Sequence, residues 1–344
     1  MIGFWMGLMV ALSVAGVRAA PGPVVVRVGH FPNVTHSQGV VGHARTRQGK
    51  GWFEERLGAG REVRWFVYTS GSSAMEAVFA GSIDLVYVGP NPAINAHLRS
   101  RGEEVRIVAG ACSGGAALVV QGLGGIRSDA DFRGKRVGTP QFGNTQDVAA
   151  RAWLGSKDFR VTVTGGDVLV VPTSTADQFA LFKKGDLDAV WGVEPQISRL
   201  VLDAGARIHL EERDLWPETG GRYVTAELVS STRFFRESPE LLERWLLGHV
   251  ELTRWINGNV DEAKRVFTEE MRAETGRGFP VELLDAAWGR LEFTHDPLRV
   301  AVERVAEDAH RIGFLRTQPD FKRLFELEPL NRVLRRLDMK EVER

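Results

Sequence analysis

The sequence predicts an α/β protein whose sheets are covered by helices on both faces and whose chain divides into two lobes. Three observations carry that expectation. Apolar runs without strict alternation, such as "VVVRVGHF" (24–31) and "IDLVYVG" (83–89), are separated by helical segments; this is the pattern of parallel strands buried on both faces. A strand, a glycine, a polar turn and a helix occur in that order twice, at "RVGHFPNVT" from Arg27 and "RVGTPQFGNT" from Arg136. Then "FAGSIDLVYVGP" (79–90) is echoed by "FKKGDLDAVWGVEP" (182–195), with Gly81, Ile83, Asp84 and Tyr87 matching Gly185, Leu187, Asp188 and Trp191 at a constant offset.

Each segment takes its place in that scheme. The opening "MIGFWMGLMVALSVAGVRAA" is apolar from Ile2 to Val17 and ends in small residues. It reads as a secretory signal peptide, residues 1–20, and predicts export to the periplasm. The run is shorter than the roughly 20 apolar residues a span needs. "WFVYTS" (65–70) is a second strand, "SAMEAVFAG" a helix closed by Gly81, and "VRIVAGAC" (105–112) a further strand. The chain should cross between lobes near Gly114-Gly115 and again at Gly220-Gly221. That places residues 21–115 and 222–344 in lobe 1 and residues 116–221 in lobe 2. After residue 232 the pattern is mostly helical scaffold packed on lobe 1, beginning with Pro239 at the first turn of a long helix.

Composition narrows the function classes. The 344 residues carry 44 basic and 44 acidic side chains. A balanced charge gives no reason to expect nucleic acid or an anionic membrane as partner. The single cysteine, Cys112, cannot form an internal disulfide and reads as a small buried apolar residue. No Walker loop, GxSxG elbow, HExxH or CxxC motif occurs. Binding is therefore expected rather than catalysis, with no cofactor and no metal. His30 and His36 are read as structural or as donors to an anion, not as metal ligands.

The candidate site is built from helix mouths. In "VGTPQFGNTQD" (137–147), Asn144 is the N-cap, with Asp147 three residues on as in a capping box. The first turn of a helix leaves N–H groups unpaired and carries about half a positive charge, so it holds an anion without a cationic side chain. Thr145 and Gln146 add donors, Gln141 lies in the same turn, and Gly143 permits close approach. The same chemistry recurs at "TSGSSAME", with Ser72 and a Ser73–Glu76 capping box, at "VGPNPAI", with Asn91 as N-cap and Pro92 at N1, and at "FPNVTHSQ", with Asn33, Thr35 and His36. In open α/β sheets such turns lie at the carboxyl ends of strands, where ligands bind. Trp191 is a candidate apolar wall or an ordinary core residue, and Glu194 a candidate partner for a ligand amine, a cap or a surface ion pair. The full candidate set is Asn33, Thr35, His36, Ser72, Ser73, Asn91, Gly114, Gln141, Asn144, Thr145, Trp191 and Glu194.

The segments "RVGHFPN", "GSSAMEAVFAGSIDLVYVGPNPAI", "DFRGKRVGTPQFGNTQD", "ALFKKGDLDAVWGVEP" and "HVELTRWINGN" together resemble the nitrate/sulfonate/taurine group of periplasmic solute-binding proteins of ABC importers, whose domain is shared with thiamine-pyrimidine precursor proteins. The likeness runs from about residue 25 to about residue 330. It implies a two-lobed type II periplasmic binding protein fold with mixed sheets, a hinged cleft and a helical C-terminal region. It also implies that Ser72, Ser73, Asn91, Asn144, Thr145 and the 191–194 segment face ligand. "GTPQFGNTQD" and "GPNPA" are similar to an aliphatic-sulfonate subgroup, which implies a small organic anion as ligand, an ABC permease with its ATPase as partners, and a monomer. The thiamine branch implies two alternatives, a pyrimidine-precursor binding protein or a synthase. A third is a sensory module that reports ligand to a membrane receptor.

Overall fold

The computed structural model describes residues 24–162 and 165–343; the expected signal peptide lies outside the described residues. The chain opens with β1 (Val24–His30), a 3-10 turn, α1 (Ser37–Arg47), α2 (Trp52–Leu57), β2 (Arg61–Val67), α3 (Gly71–Phe79), β3 (Leu85–Val88), α4 (Pro90–Arg99) and β4 (Val105–Gly114). It continues through β5 (Ala116–Gln121), β6 (Arg136–Thr139), α5 (Thr145–Ser156), a small hairpin of β7 (Val161–Thr162) and β8 (Gly165–Gly166), β9 (Leu169–Pro172), α6 (Thr175–Lys184), β10 (Ala189–Val193), α7 (Gln196–Ala204) and β11 (Ala206–Glu211). It returns by β12 (Val224–Ser231) to α8 (Thr232–Glu237), α9 (Pro239–Gly258), α10 (Val260–Thr275), α11 (Val281–Trp288), β13 (Leu291–Phe293), α12 (Arg299–Arg311) and α13 (Glu328–Arg336).

Two sheets result, one per lobe. The first has the order β13-β4-β12-β3-β1-β2 and the second β11-β5-β10-β6-β9. In the first, β2, β1 and β3 run parallel and β12 joins them antiparallel. In the second, β9, β6 and β10 run parallel and β5 joins them antiparallel. The same four-strand core therefore occurs twice, and the sheets are mixed because the strand that closes each core comes from a crossing between lobes. The central β12 is buried along its whole length, as a strand covered on both faces must be.

One side-chain device is duplicated with the sheets. The Asp84 carboxylate accepts the Arg27 N–H at 2.9 Å and pairs with the Arg27 guanidinium at 2.6 Å. The Asp188 carboxylate likewise accepts the Arg136 N–H at 2.9 Å and the Arg136 Nε at 3.4 Å. Each arginine also donates to a helix-terminating glycine carbonyl, Gly81 and Gly185 respectively. The aspartate ahead of the third strand thus fixes the register of the first strand in both lobes.

Apolar clusters cover both faces of each sheet. Val40, Trp245, Val266 and Val333 from α1, α9, α10 and α13 pack one face of the first sheet, and Met75, Ile94 and Val302 from α3, α4 and α12 the other. Trp153 of α5 and Phe182 of α6 lie on opposite faces of the second. Phe53 stacks on Trp245 at 3.7 Å between ring centroids. Leu242 and Leu246 on the same turns are fully buried, each contributing about 1.5–3 kcal/mol. Cys112 is part of this core, and burial pushes its thiol up. No helix among the described residues is long and apolar enough to cross a membrane.

The lobes are joined at the crossings and by the C-terminal helices. Gly114 and Gly115 take φ of +86° and +79°, a region that favours glycine. The Tyr223 hydroxyl accepts the Ala116 N–H at 2.8 Å and donates to the Ala116 carbonyl at 3.2 Å, stitching one crossing to the other. The segment after residue 232 also reaches the second sheet's lobe, beyond its expected role as scaffold for the first: Arg290 pairs with Glu194 and Glu211, each at 2.6 Å, and Phe314 packs on Phe142.

Candidate functional site

A cavity of about 460 Å³ lies between the two sheets. Its walls are the residues that follow six parallel strands: Phe31 after β1, Thr69 after β2, Gly89 after β3, Pro140 after β6, Ser174 after β9 and, at the end of β10, Val193. Strand order reverses between β3, β1 and β2, and again between β10, β6 and β9. The cavity therefore sits at the switch points of both sheets, where open α/β sheets bind ligands.

Five helix mouths open on this cavity. Asn33 caps the 3-10 turn that leads into α1, with its Oδ1 accepting the Thr35 N–H at 3.0 Å. Ser70 caps α3, its Oγ accepting the Ser73 N–H at 3.3 Å. Gly89 caps α4 and Pro90 takes N1. Asn144 caps α5, its Oδ1 accepting the Asp147 N–H at 2.9 Å. Ser174 caps α6, its Oγ accepting the Asp177 N–H at 3.2 Å. All five capping residues border the same cavity. The side chains of Asn33, Ser70, Asn144 and Ser174 each satisfy one first-turn amide and leave others unpaired within the helix. Gly89 has no capping side chain, and because Pro90 and Pro92 lack an N–H, Asn91 carries the amide of that first turn.

No lining residue of this cavity is Lys, Arg, Asp or Glu. An ion pair is sealed beneath the α5 mouth: Asp147 is fully buried, accepts the Gly143 N–H at 3.0 Å and the Thr139 hydroxyl at 2.6 Å, and holds Arg151 Nε at 3.0 Å. The lining offers the hydroxyls of Thr35, Thr145, Thr175 and Thr225 and the amides of Gln141 and Gln146, against apolar surface from Phe31, Pro92, Pro140 and Val193. His36 stacks on Phe31 at 4.6 Å, and burial pushes its imidazole down to about 3. It is therefore neutral, and its Nδ1 is buried without a hydrogen-bond partner.

The structure brings together Asn33, Thr35, His36, Gln141, Asn144 and Thr145 at the cavity. Ser72 stands at its edge, where its Oγ accepts from Gln141 Nε2. Other members of the candidate set are placed elsewhere. Trp191 is fully buried in the core of the second lobe, and its Nε1 donates to Glu212 Oε2 at 2.8 Å; Val193, two residues on, faces the cavity instead. Glu194 is buried against Arg290 and accepts the Ser198 N–H at 3.1 Å, so it is spent on holding the crossing rather than open to an amine. Burial pushes its carboxyl up, and the Arg290 guanidinium opposes the shift.

Ser73 is not the cap of α3: it lies inside the helix, and its hydroxyl donates back to the Ser70 carbonyl at 2.9 Å. Its expected box partner, Glu76, pairs with Arg99. Asn91 is not the cap of α4 either, because Pro90 already supplies the helical φ of N1. Asn91 and Ser72 border a neighbouring cavity of about 260 Å³, together with the exposed Phe142. Gly114 belongs to the crossing, where its carbonyl accepts from Thr225 Oγ1 at 2.6 Å. A Cβ on Gly114 would lie 2.8 Å from the Arg290 carbonyl.

Sequence reasoning missed Thr69, Ser70, Ser174, Thr175 and Thr225. The signal for Ser174 was present: Asp177 follows three residues later, and the Ser174 hydroxyl donates to its Oδ2 at 2.6 Å.

The NMT1-like family matches residues 19–269, nearly three quarters of the chain. The chain belongs to the NMT1-like family. A relative in Escherichia coli (strain K12), named "Putative aliphatic sulfonates-binding protein", is 25% identical over 219 residues, covering 63% of this chain and 64% of the relative. The chain thus spans less than two thirds of that relative's length. Among solved structures, the alkanesulfonate-binding protein SsuA from Xanthomonas axonopodis pv. citri bound to MOPS superposes with a TM-score of 0.70 at 18% identity, covering 90% of this chain and all of that one. The periplasmic nitrate-binding protein NrtA from Synechocystis PCC 6803 does so with 0.72 at 14% identity, covering 93% and 90%. NMT1-like membership and these neighbours agree on the fold, that of type II periplasmic binding proteins.

Proposed function

We propose that this chain is an exported substrate-binding protein of an ABC importer, and that it captures a small organic anion, an aliphatic sulfonate or taurine first, between its lobes. One observation carries the reading: five helix N-caps from both lobes border one cavity whose lining has no fixed charge. Convergent first-turn amides favour an anion, each mouth by about 0.3–1 kcal/mol and more where water is excluded. Neutral donors also release the ligand without breaking a full ion pair.

Size supports a sulfonate over nitrate. A cavity of about 460 Å³ is many times the roughly 30 Å³ of one water molecule. It has room for an organic body as well as a charged head, and Phe31, Pro92, Pro140 and Val193 offer apolar wall to such a body. The relatives named for sulfonates support the same choice. A permease and its ATPase would take the ligand from the closed, monomeric form at the membrane, and no catalytic group is required.

Native mass spectrometry of the protein as purified, followed by titration calorimetry with ethanesulfonate, taurine and nitrate after ligand removal, tests the proposal. An organosulfonate should be found or should bind one to one, more tightly than nitrate. Tighter binding of nitrate would overturn the sulfonate choice, and binding of none of them the anion reading.

A further inference from the structure

A second constellation lies outside the cleft, where β1, α1 and α10 meet. His30 ends β1, His43 lies on α1 and Glu274 on α10. His30 Nε2 is 3.1 Å from His43 Nδ1, His43 Nδ1 is 2.9 Å from Glu274 Oε1, and Glu274 Oε1 is 3.1 Å from His30 Nε2. The side chains of His30 and Glu274 are 0% and 2% exposed, that of His43 15%. We propose that His30, His43 and Glu274 bind a divalent transition-metal cation of the zinc class.

With both imidazoles neutral, hydrogen bonding leaves the triangle frustrated. Phe31 O, 3.3 Å from His30 Nδ1, can only accept, so neutral His30 keeps its proton there and turns the Nε2 lone pair inward. Arg47 Nη2, 3.2 Å from His43 Nε2, can only donate, so neutral His43 carries its proton on Nδ1. One proton then faces three acceptors, His30 Nε2, Glu274 Oε1 and, at 3.3 Å, Glu270 Oε1, and the His30 Nε2–Glu274 Oε1 edge sets lone pair against lone pair. Glu274 Oε2 is also buried with no hydrogen-bond partner. Unpaired polar atoms at this depth are costly, and a cation removes the conflict.

The geometry suits such an ion. Ligands about 2.1 Å from a metal are about 3.0 Å apart at cis positions of an octahedron and about 3.4 Å apart in a tetrahedron. The observed edges fall at the octahedral value. Two imidazoles with one carboxylate select a late first-row cation over calcium or magnesium, which prefer all-oxygen sets. Glu274 Oε2 can complete a bidentate grip. On loading, His43 shifts its proton from Nδ1 to Nε2, and Arg47, still held by Glu270 through its Nε, gives up the 3.2 Å contact of its Nη2 to that nitrogen. Phe31 O then holds the second nitrogen of His30, as carbonyls do for metal-bound histidines. Phe31 is also a wall of the cleft, so the ion would brace the strand end that carries the first helix mouth.

The test uses the full chain after dialysis against a chelator. Titration with Zn²⁺ and Co²⁺ should give one equivalent bound, and Co²⁺ should quench emission from Trp65, whose ring lies 5.6 Å from both imidazoles. His43→Ala and Glu274→Gln should each weaken binding at least tenfold, whereas His310→Ala, remote from the cluster, should not. A Cu²⁺-loaded wild-type sample should show two coordinated imidazole nitrogens by electron paramagnetic resonance, a readout independent of whether the variants fold. Absence of a stoichiometric site in the wild type, a copper spectrum with fewer than two imidazoles, or unchanged affinity in a folded His43→Ala protein would overturn the proposal. None of these readouts depends on what the cleft binds.

Discussion

Gln141 reaches across the cleft to Ser72, its Nε2 donating to the serine Oγ at 3.0 Å. Gln141 belongs to the turn before α5 in one lobe, Ser72 to the first turn of α3 in the other. Beside them the lobes nearly touch, since a Cβ on Gly89 would lie 2.9 Å from Thr145 Oγ1. This bond ties the helix mouths of α3 and α5 to each other across the cavity. A neutral hydrogen bond is worth about 1 kcal/mol. Gln141→Ala should weaken ligand binding about fivefold, mainly through faster release, with little change in the ligand-free melting midpoint. Stopped-flow dissociation checks this; an unchanged release rate would remove the latch role.

Asn144 allows cap and ligand functions to be separated. Asn144→Ala should cost about 1 kcal/mol of stability from the lost cap and weaken anion binding more than that. Asn144→Asp keeps a good cap while placing a negative charge at the mouth. It should melt near the wild-type temperature and lose anion binding at least tenfold. Calorimetry and a thermal scan on both variants distinguish the cases; an aspartate variant that binds as well as the wild type would reduce Asn144 to a plain cap.

Trp191 makes the opposite prediction. Its indole sits in the core and its N–H satisfies Glu212. Trp191→Phe should lower stability by about 1–3 kcal/mol by leaving the buried carboxyl without that partner. Anion affinity at a temperature where the variant is folded should stay within twofold of wild type, as measured by calorimetry.

Glu212 should also write a pH dependence. Burial pushes its carboxyl from 4.5 up to about 7, with the Trp191 N–H opposing. The folded state then keeps a proton that the unfolded state loses between pH 4.5 and 7, so this group's contribution falls as pH rises through that window and levels off above it. Glu212→Gln keeps an acceptor for Trp191 and removes the charge. Its stability relative to wild type should rise from pH 4.5 to pH 7 by an amount of order 1 kcal/mol per unit and then stay flat. Denaturant titrations at several pH values check it; a difference independent of pH would contradict it.

The parts legible in the sequence are those coded by near neighbours. Asn144 and Asp147 are three residues apart, so the α5 mouth could be read directly. The repeats that carry Arg27 and Arg136, and Asp84 and Asp188, were visible because both copies of the aspartate keep the same spacing to the glycine that closes the preceding helix. That each arginine pairs with its aspartate was not, because the partners are over fifty residues apart. Trp191 was misplaced because the cavity lies at the carboxyl end of β10: Val193, two residues on and on the same face, reaches it, whereas Trp191 in mid-strand is buried in the core. The α4 mouth slipped because Pro90 and Pro92 both suit a first turn, and the earlier one took it. Glu194 looked free because its partner, Arg290, lies nearly a hundred residues away. The His30–His43–Glu274 cluster escaped for the same reason, with 231 residues between its second and third members.

The account rests on main-chain dipoles, rather than fixed cations, gripping a negative ligand. Calorimetric titration with an alkanesulfonate and with its trimethylammonium counterpart, each at low and at high salt, tests that most directly. The sulfonate should bind with an affinity that changes little with salt, and the ammonium compound should not bind. Binding of the ammonium compound, or a steep loss of sulfonate affinity in salt, would contradict it.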